Sequence, residues 1–495
     1  MPFSCFFDIF LFSFWNTCGM LKERWYTATT NWHTKTKKEV SMVHINQSSR
    51  LLANYLYNMK FEDFDQHTID ITKMCIEDFI GVAIAGSVKK ESEIWKQYYS
   101  TKITEAAAST FQPGFKKYTC EQSAALNAVY GHVMDMDDVH NASITHLAVI
   151  TIPTAFALAE KYHKSGRDVI EAVAAGYEAG ARIGEAINPS SYKYWHTTSV
   201  VGAFCAGVTA AKLLSLTEEQ ILNCLGSAGT QAAGLWEFLA SGSMSKVLHT
   251  ANANLCGIRA AELSALGFTG APTILEGDRA FVKALAPKYN MDALTKGFGK
   301  GYRIKENSFK PYACCRHTHS ANYCIEKILS SHRIVPENII SITDDTYSTA
   351  VQTTNNPYPE NPYAAKFSLQ FCIAAAIVLK DLSDRTFTVD NINNPVIKDV
   401  MSKIKVNVNK QLDNEFRQNP NQWSHRLTFV LKDGTTIVEQ VDYPIGDFKN
   451  PFDWPMADNK FRLLTSDLLD KKTVNALLDA FHNLESIEDV TEIFK

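Results

Sequence analysis

The sequence lacks several features that would assign it to common functional classes. Its 49 Lys and Arg residues are outnumbered by 53 Asp and Glu residues, for a formal net charge of −4, so a basic nucleic-acid-binding surface is not expected. None of the 11 cysteines forms a CxxC pair, which argues against a disulfide scaffold, a zinc ribbon and a cysteine-bound iron–sulfur cluster. No GxSxG, HExxH or P-loop motif is present, which argues against the hydrolases, metalloproteases and nucleotide-binding proteins that carry them.

The first 41 residues have a composition unlike the rest of the chain. The apolar run in PFSCFFDIFLFSFWNTCGM contains Asp8, lacks the basic start of a secretory signal and is short for a membrane span of ~20 residues. The following LKERWYTATTNWHTKTKK is rich in basic and hydroxyl residues. We expect residues 1–41 to be a leader or an upstream extension that is not part of the fold. We favour an extension, which predicts a cytoplasmic protein without membrane association, whereas a genuine leader would predict a mitochondrial one.

From Met42 to about residue 305, apolar residues recur at helical spacing. The clearest helical segments are 68–86, 150–166, 168–187, 197–216 and 255–268. Their apolar faces are rich in Ala and Gly, and such small residues let helix axes approach closely. No internal repeat is visible, so a solenoid is not expected. The pattern predicts a large multi-helix domain.

Beyond residue 305 the sequence mixes β-rich and helical segments. The β-rich segments are 337–348, 404–412 and 426–443. Asp433-Gly434 lies between two alternating runs, which indicates a hairpin turn. We therefore predict a mainly α protein with three parts, a helical domain over 42–305, an inserted smaller α+β lid domain over 306–456, and C-terminal helices over 457–495 that rejoin the helical domain. A small-molecule site is expected in the cleft between the two domains.

Polar segments interrupt this apolar sequence at four places, HVMDMDDVHNASITH (132–146), YKYWHTTSVVG (192–202), ASGSMSKVLHTANAN (240–254) and FKPYACCRHTH (309–319). One histidine near a helix end is more often structural than catalytic. Four such segments together favour a site with histidines as proton carriers and Lys or Arg as anion-binding groups, which suits carboxylate substrates. A metal held by HNASITH with Asp135, Asp137 or Asp138 is an alternative, but no histidines paired on one helical turn support it.

These segments, together with KFSLQF, resemble the successive motifs of the MmgE/PrpD family, which includes 2-methylcitrate dehydratases, cis-aconitate decarboxylases and iminodisuccinate epimerases. The resemblance runs from about Met42 to the C-terminus. It implies a large helical domain, a smaller α+β lid, a homodimer, and a site at the domain junction that needs no metal or cofactor. The pocket positions that match by resemblance are Asp135, His146, His196, Lys246 and Lys310. Many members of the family have the motif DDT where this chain has Asp137-Asp138-Val139, so the hydroxyl donor of the threonine is missing.

The residue types fit a reaction in which a carbanion forms or is consumed next to a carboxylate. Cationic side chains offset the developing charge, and a histidine moves the proton, with an aspartate that orients or charges a partner. The expected catalytic residues are His146, Asp135 and His196. The expected substrate-binding residues are Lys246, Lys310, His140 and Arg316. His196 would hold a second carboxylate or protonate a leaving hydroxyl.

We predict a cofactor-free lyase that acts on a small di- or tricarboxylic acid and binds neither nucleic acid nor membranes. The substrate assignment that we favour is the 2-methylcitrate dehydratase type. A cis-aconitate decarboxylase that forms itaconate is the main alternative. An iminodisuccinate-type epimerase and a non-catalytic binding protein on the same fold are further alternatives.

Overall fold

The computed structural model describes residues 47–102 and 105–495, so the predicted leader or extension at 1–41 lies outside the described residues. Helices form most of the N-terminal part. Their bounds are α1 Ser48–Asn58, α2 Gln66–Gly86, α3 Lys90–Tyr99, α4 Cys120–His132, α5 Ala148–Lys161, α6 Gly166–Ile187, α7 Thr197–Leu213, α8 Glu218–Gly229, α9 Phe238–Ser241, α10 Ser245–Ala265 and α11 Phe281–Leu285. The mainly α prediction is confirmed.

Close contact between α7 and α10 forms the centre of this helical part. A Cβ atom on Gly202 would lie 2.9 Å from the Cβ atom of Ala253, and one on Gly257 would overlap Ala206. Larger side chains at these positions would push the two helix axes apart. The Ala- and Gly-rich faces seen in the sequence therefore serve to bring α7 and α10 together, with Lys246 in the first turn of α10.

Two short antiparallel strand pairs occur among the helices. Strands β1 Ala108–Ser109 and β2 Lys117–Tyr118 form the first pair. In the second, β3 Val139–His140 pairs with β4 Asn307–Ser308. This second pair joins two parts of the chain that are more than 150 residues apart. It fixes the loop after α4 beside the segment that leads to Lys310, because Lys310 follows β4 by two residues.

A four-stranded sheet with the order β6-β5-β7-β8 forms the centre of the C-terminal part. Its strands are β5 Ile339–Thr346, β6 Ile404–Val408, β7 His425–Leu431 and β8 Thr436–Val441. Strands β5 and β6 are parallel and the other pairs are antiparallel. The hairpin between β7 and β8 contains Asp433-Gly434, as predicted, and Gly434 has the positive φ of 87° that glycine accommodates best.

Helices surround this sheet and complete the chain. Their bounds are α12 His319–Ser331, α13 Ser348–Thr354, α14 Pro362–Ala365, α15 Leu369–Leu379, α16 Val389–Asn393, α17 Pro395–Ser402, α18 Lys410–Gln418, α19 Trp454–Thr465 and α20 Lys471–His482. None of the helices in the described ranges is both long enough and apolar enough to cross a membrane.

The C-terminal helices pack against α2 of the N-terminal part. The ammonium group of Lys460 lies 2.6 Å from a carboxylate oxygen of Asp78, and Phe461 covers Gly81. Residues 48–495 form one compact unit. The division of this unit at residues 306 and 456 therefore stays a proposal.

Candidate active site

The loop from the end of α4 to the start of α5 carries the polar segment 132–146. Helix α4 ends at His132, so His132 and Asp135 do not share a helical face as their spacing would allow. Asp135 and Ile144 have φ values of 58° and 50°, in the left-handed region that is rare for residues other than Gly and Asn. These turns decide which side chains of the loop meet, and a fixed sequence spacing does not.

Asp137 lies between two histidines. Its Oδ2 atom is 2.7 Å from Nδ1 of His132 and 3.3 Å from Nδ1 of His146. Burial opposes ionisation of Asp137, but the two imidazoles outweigh it and hold its pKa well below the usual range. Burial also lowers the pKa of His132 to about 4, so His132 is neutral at pH 7. The ionised Asp137 carboxylate thus lies between the neutral ring of His132 and the ring of His146.

Asp135 lies between two lysines. Its Oδ1 atom is 2.6 Å from Nζ of Lys246 and 3.2 Å from Nζ of Lys310. Burial opposes ionisation of Asp135, but the two ammonium groups outweigh it and hold its pKa below the ordinary value. All three side chains are buried. Two cations share one carboxylate, so the group has one excess positive charge and can bind an anion.

A small cavity lies next to both groups. Its volume is about 20 Å³, roughly the space of one water molecule. The N-terminal part contributes the lining residues Asp135, Val139, Ile144, His146, Tyr192, His196, Thr198, Trp236 and Lys246. The C-terminal part contributes Cys315, Arg316, His317, Phe367 and Trp423. Polar groups are thus concentrated in a pocket whose remaining wall is largely aromatic.

His196 occupies the N-cap position of α7. Its Nδ1 atom is 3.1 Å from Nδ1 of His249, and its ring stacks on that of His132 at a centroid distance of 5.7 Å. Burial, together with the neighbouring imidazoles and Lys246, lowers the pKa of His196 well below its usual range. Burial and Lys246 lower the pKa of His249 to about 4. Both imidazoles are neutral at pH 7 and can donate or accept a hydrogen bond.

Arg316 lines the cavity, but its charge already has a partner. Its Nη2 atom lies 2.9 Å from Oδ2 of Asp447. His317 stacks on Trp423 with a ring-centroid distance of 4.2 Å, and burial lowers the pKa of His317 to about 3. Burial raises the pKa of the Cys315 thiol to about 12. These residues supply a neutral wall apart from the Arg316–Asp447 pair.

The structure brings most of the predicted site residues together. Asp135, His146, His196, Lys246 and Arg316 line the cavity, and Lys310 reaches it through Asp135. His140 does not line the cavity. Its Nδ1 atom lies 2.9 Å from Oγ of Ser143, and its Nε2 atom is 3.9 Å from Glu306.

Sequence reasoning missed the specific partner of His146 and most of the wall. It gave Asp135 the task of orienting or charging a partner, whereas the carboxylate beside His146 belongs to Asp137. The turn at Asp135 directs that side chain to the lysines instead. The aromatic wall formed by Tyr192, Trp236, Phe367 and Trp423 has no sequence signal that separates it from ordinary core residues.

One metal-ligand set adjoins the cavity. Single donor atoms of His132, Asp137 and His146 lie within 4.8 Å of one another. Imidazole and carboxylate ligands suit zinc and related ions. Within the set, Asp137 forms a hydrogen bond with Nδ1 of His132, whereas Nδ1 of His146 lies 3.3 Å from Asp137 without a hydrogen-bond partner in the described part of the chain.

The fold and the cavity define a class of mainly helical proteins with a buried polar site where a helical part meets a mixed α+β part. Within this class, the chain belongs to the MmgE/PrpD family. The MmgE/PrpD N-terminal domain matches residues 50–293 and the MmgE/PrpD C-terminal domain matches residues 312–486.

Three relatives of this chain are named for the same activity. The chain is 26% identical over 474 residues to a cis-aconitate decarboxylase of Aspergillus terreus, with 90% of this chain and 94% of the relative covered. It is 26% identical over 452 residues to the cis-aconitate decarboxylase of Homo sapiens (88% and 92% covered) and 25% identical over 457 residues to that of Mus musculus (88% and 90% covered). These relatives favour the decarboxylase alternative over the dehydratase assignment that the sequence led us to prefer.

Proposed function

We propose that this chain is a lyase that decarboxylates cis-aconitate to itaconate without a metal or organic cofactor. The observation that carries the proposal is the pairing of two charge groups at one cavity. Lys246 and Lys310 converge on Asp135 with an excess positive charge, and His146 lies beside the Asp137 carboxylate. The activity for which the relatives are named supports the same reaction.

The reaction needs an anion-binding group and a proton donor. When the carboxylate on the methylene carbon leaves as carbon dioxide, its bonding electrons form a new carbon–carbon double bond. The electrons of the old double bond move to the carbon next to another carboxylate, and that carbon takes one proton. Negative charge therefore builds up beside a carboxylate that remains on the substrate. Fixed cations next to that carboxylate lower the barrier, and a positioned acid delivers the proton.

The residues of the cavity can supply these two roles. We assign the remaining substrate carboxylate to Lys246 and Lys310, whose shared partner Asp135 leaves them with one uncompensated charge. We assign the proton to His146, because its ring lines the cavity and its Nδ1 atom lies 3.3 Å from the Asp137 carboxylate. His196 is neutral and hydrogen-bonding, so it fits as a contact for a second carboxylate.

The departing carboxylate needs a different environment. A carboxylate that becomes neutral carbon dioxide loses charge during the reaction, so a wall of neutral side chains favours its release over its retention. The aromatic residues Tyr192 and Trp236 provide such a wall. Val139 also lines the cavity, where its side chain lacks the hydroxyl of the DDT motif. We infer that the departing group faces this apolar side.

Access to the cavity requires a movement. The cavity has room for about one water molecule, which is too little for a six-carbon acid. Ile144 lines both this cavity and an open cleft of about 1080 Å³. Exposed lysines at 288, 296 and 300 border the cleft. We infer that the substrate approaches through this cleft and that the segment around Ile144 opens the cavity to it.

The assignment is tested by identifying products with NMR. Chelator-treated protein is incubated separately with cis-aconitate, 2-methylcitrate and iminodisuccinate. We expect itaconate and carbon dioxide from cis-aconitate and no turnover of the other two acids. The proposal would be overturned if no itaconate forms and the protein instead converts 2-methylcitrate to 2-methylaconitate. Epimerisation of iminodisuccinate without formation of itaconate would overturn it as well. An inactive protein would support the binding-protein alternative.

We also propose a homodimer and, if residues 1–41 are an extension, a cytoplasmic location. The chain has a mass of 55.3 kDa, so light scattering is expected to give twice this value. A monomer mass at micromolar concentration would contradict the dimer. A fluorescent fusion with and without residues 1–41 tests the location, since mitochondrial import that depends on this segment would identify it as a leader.

A further inference from the structure

A second cluster of ionisable side chains lies where the C-terminal helices meet α2. Glu77 belongs to α2, Asp458 to α19 and His482 to the last position of α20. The Nε2 atom of His482 is 2.8 Å from Oδ1 of Asp458 and 3.5 Å from Oε2 of Glu77. None of the three lines the candidate active-site cavity. The cluster is therefore separate from the candidate active site.

Glu77 is the most deeply buried member of the cluster. Its side chain is fully buried, and neither carboxylate oxygen has a hydrogen-bond partner in the described part of the chain. Burial, with further contributions from Asp458 and Asp78, raises its pKa to about 9. A buried carboxyl group without a partner is costly. Two ligands remove this cost, a proton or a cation.

The cations near the cluster are engaged elsewhere. Lys73 pairs with Glu485 at 3.0 Å, and Lys460 pairs with Asp78 at 2.6 Å. Among the described residues, no Lys or Arg side chain forms an ion pair with Glu77 or Asp458. Arg462 is near enough to lower the pKa of Glu77, but it donates a hydrogen bond to Asn475. Two carboxyl groups and one imidazole thus share a space without a Lys or Arg side chain in direct contact.

The donor set has the composition of a transition-metal site. Donor atoms of Glu77, Asp458 and His482 lie within 4.8 Å of one another. One imidazole and two carboxylates suit zinc and related divalent ions, with water at the fourth position. The His482 side chain is 36% exposed and that of Asp458 28% exposed, so an ion can reach the cluster from solvent while Glu77 forms its floor.

Neighbouring groups hold the histidine in place for this role. The ring of Trp454 packs on the His482 ring with a centroid distance of 4.3 Å. Lys73 donates a hydrogen bond of 2.8 Å to the His482 backbone carbonyl. These contacts restrict the position and orientation of the His482 ring beside Asp458 and Glu77.

We propose that Glu77, Asp458 and His482 bind one divalent transition-metal ion of the zinc class, which fastens α19 and α20 to α2. The site is structural and separate from the candidate active site. The ion replaces the proton on Glu77 and supplies the charge that the cluster lacks. Its three protein ligands come from three helices, so binding stabilises their packing and adds to the free energy of unfolding.

The test measures zinc in the full-length protein after chelator dialysis and re-addition of zinc. We expect one zinc ion per chain to be bound at the cluster, and a higher melting temperature with zinc than without it. Glu77→Gln and His482→Ala are each expected to lose this ion and the shift in melting temperature. Asp479→Asn, which removes an exposed carboxylate from the same helix α20, serves as the matched control and is expected to retain both.

His146→Ala separates this cluster from the ligand set beside the cavity, because it removes a ligand only there. We expect His146→Ala to keep the zinc ion and the melting-temperature shift. The proposal is wrong if wild-type protein binds no zinc above the Asp458→Asn background. It is also wrong if Glu77→Gln and His482→Ala bind as much zinc as wild type, or if the ion is lost in His146→Ala instead. In these cases a proton, and not a metal ion, would account for the buried carboxyl group of Glu77.

Discussion

At the scale of single residues, two carboxylates that are two positions apart in sequence have opposite surroundings. Asp135 pairs with lysines and Asp137 with histidines. Both are anionic at pH 7, because neighbouring groups outweigh the effect of burial on their pKa values. We propose that the first arrangement binds an anion and that the second transfers a proton.

Loss of the proposed proton donor should affect turnover and leave folding intact. We expect His146→Ala to lower kcat for cis-aconitate by at least ~100-fold, the usual contribution of a positioned acid. Asp137→Asn should also lower kcat, since an amide stabilises an imidazolium less than a carboxylate does. Exposed His332 provides the control, and His332→Ala should keep wild-type kcat. Unchanged kcat in a folded His146→Ala protein would exclude His146 as the donor.

The buried imidazole of His132 should make stability depend on pH. Its pKa is about 4 in the folded protein, against about 6.5 in an unfolded chain. Between these values only the unfolded chain binds the proton, so the free energy of unfolding falls as the pH decreases from 6.5 to 4. The loss between pH 7 and pH 5 is about 2 kcal/mol.

This pH dependence can be measured by urea unfolding of wild type and His132→Asn at pH 7 and pH 5. The variant lacks the titrating group. Its deficit in unfolding free energy should therefore be smaller at pH 5 than at pH 7, by about 2 kcal/mol. The same substitution at exposed His332 gives the effect of losing an imidazole outside the site. An equal deficit at both pH values would contradict the buried, neutral state of His132.

At the scale of elements, the periodic pattern predicted most helices of the N-terminal part. The segment 68–86 corresponds to α2, which begins at Gln66, and 168–187 corresponds to α6. Helix α10 is an exception, since it begins at Ser245 and the pattern indicated only 255–268. Its first turns carry Lys246, which faces the site and breaks the apolar period. The polar residues in the first turns of α10 therefore concealed the start of this helix in the sequence pattern.

The candidate site was less predictable than the helices. Sequence reasoning selected the polar segments and five of the residues that line the cavity. It could not decide which aspartate meets which partner, because the loop turns through left-handed conformations at Asp135 and Ile144. It also could not place His140, whose position depends on the pairing of β3 with the distant β4. Both outcomes depend on contacts between parts of the chain remote in sequence.

The contact between α7 and α10 gives a prediction about stability. An added methyl group on Gly257 would overlap Ala206 of the facing helix, so Gly257→Ala should lower the free energy of unfolding by about 1–3 kcal/mol. Gly207→Ala, on the facing helix, is the control. Its methyl group would lie 3.0 Å from the Sγ atom of Cys224 and 3.8 Å from the nearest backbone atom of α10, so it overlaps no atom of that helix. Equal stabilities of the two variants in urea unfolding would argue against close packing at Gly257.

At the scale of the whole molecule, the two lysines come from parts of the chain 64 positions apart in sequence. Both contact Asp135, because the β3–β4 pair places the segment after β4 beside the loop that carries this aspartate. Residues 315–317 and Trp423 close the cavity from the C-terminal part. Substrate binding and closure of the site are therefore expected to be linked.

Removal of either lysine should weaken this linkage. We expect Lys246→Met and Lys310→Met each to lower kcat/KM by ~10–100-fold, the equivalent of one charge-assisted hydrogen bond. Both should raise KM and lower kcat together, because closure assembles the site. Lys432→Met, at an exposed position of the β7–β8 hairpin, should leave both constants unchanged. Full activity of Lys310→Met would show that the second cation is not needed.

The most direct test of the proposed reaction follows the proton. The protein is given cis-aconitate in D₂O, and the product is examined by NMR. We predict itaconate with one deuterium, located only in the methylene group next to a carboxylate, and a rate of formation at least ~100-fold lower in His146→Ala. Absence of itaconate from the wild-type reaction, or deuterium in the terminal =CH₂ group instead, would contradict it.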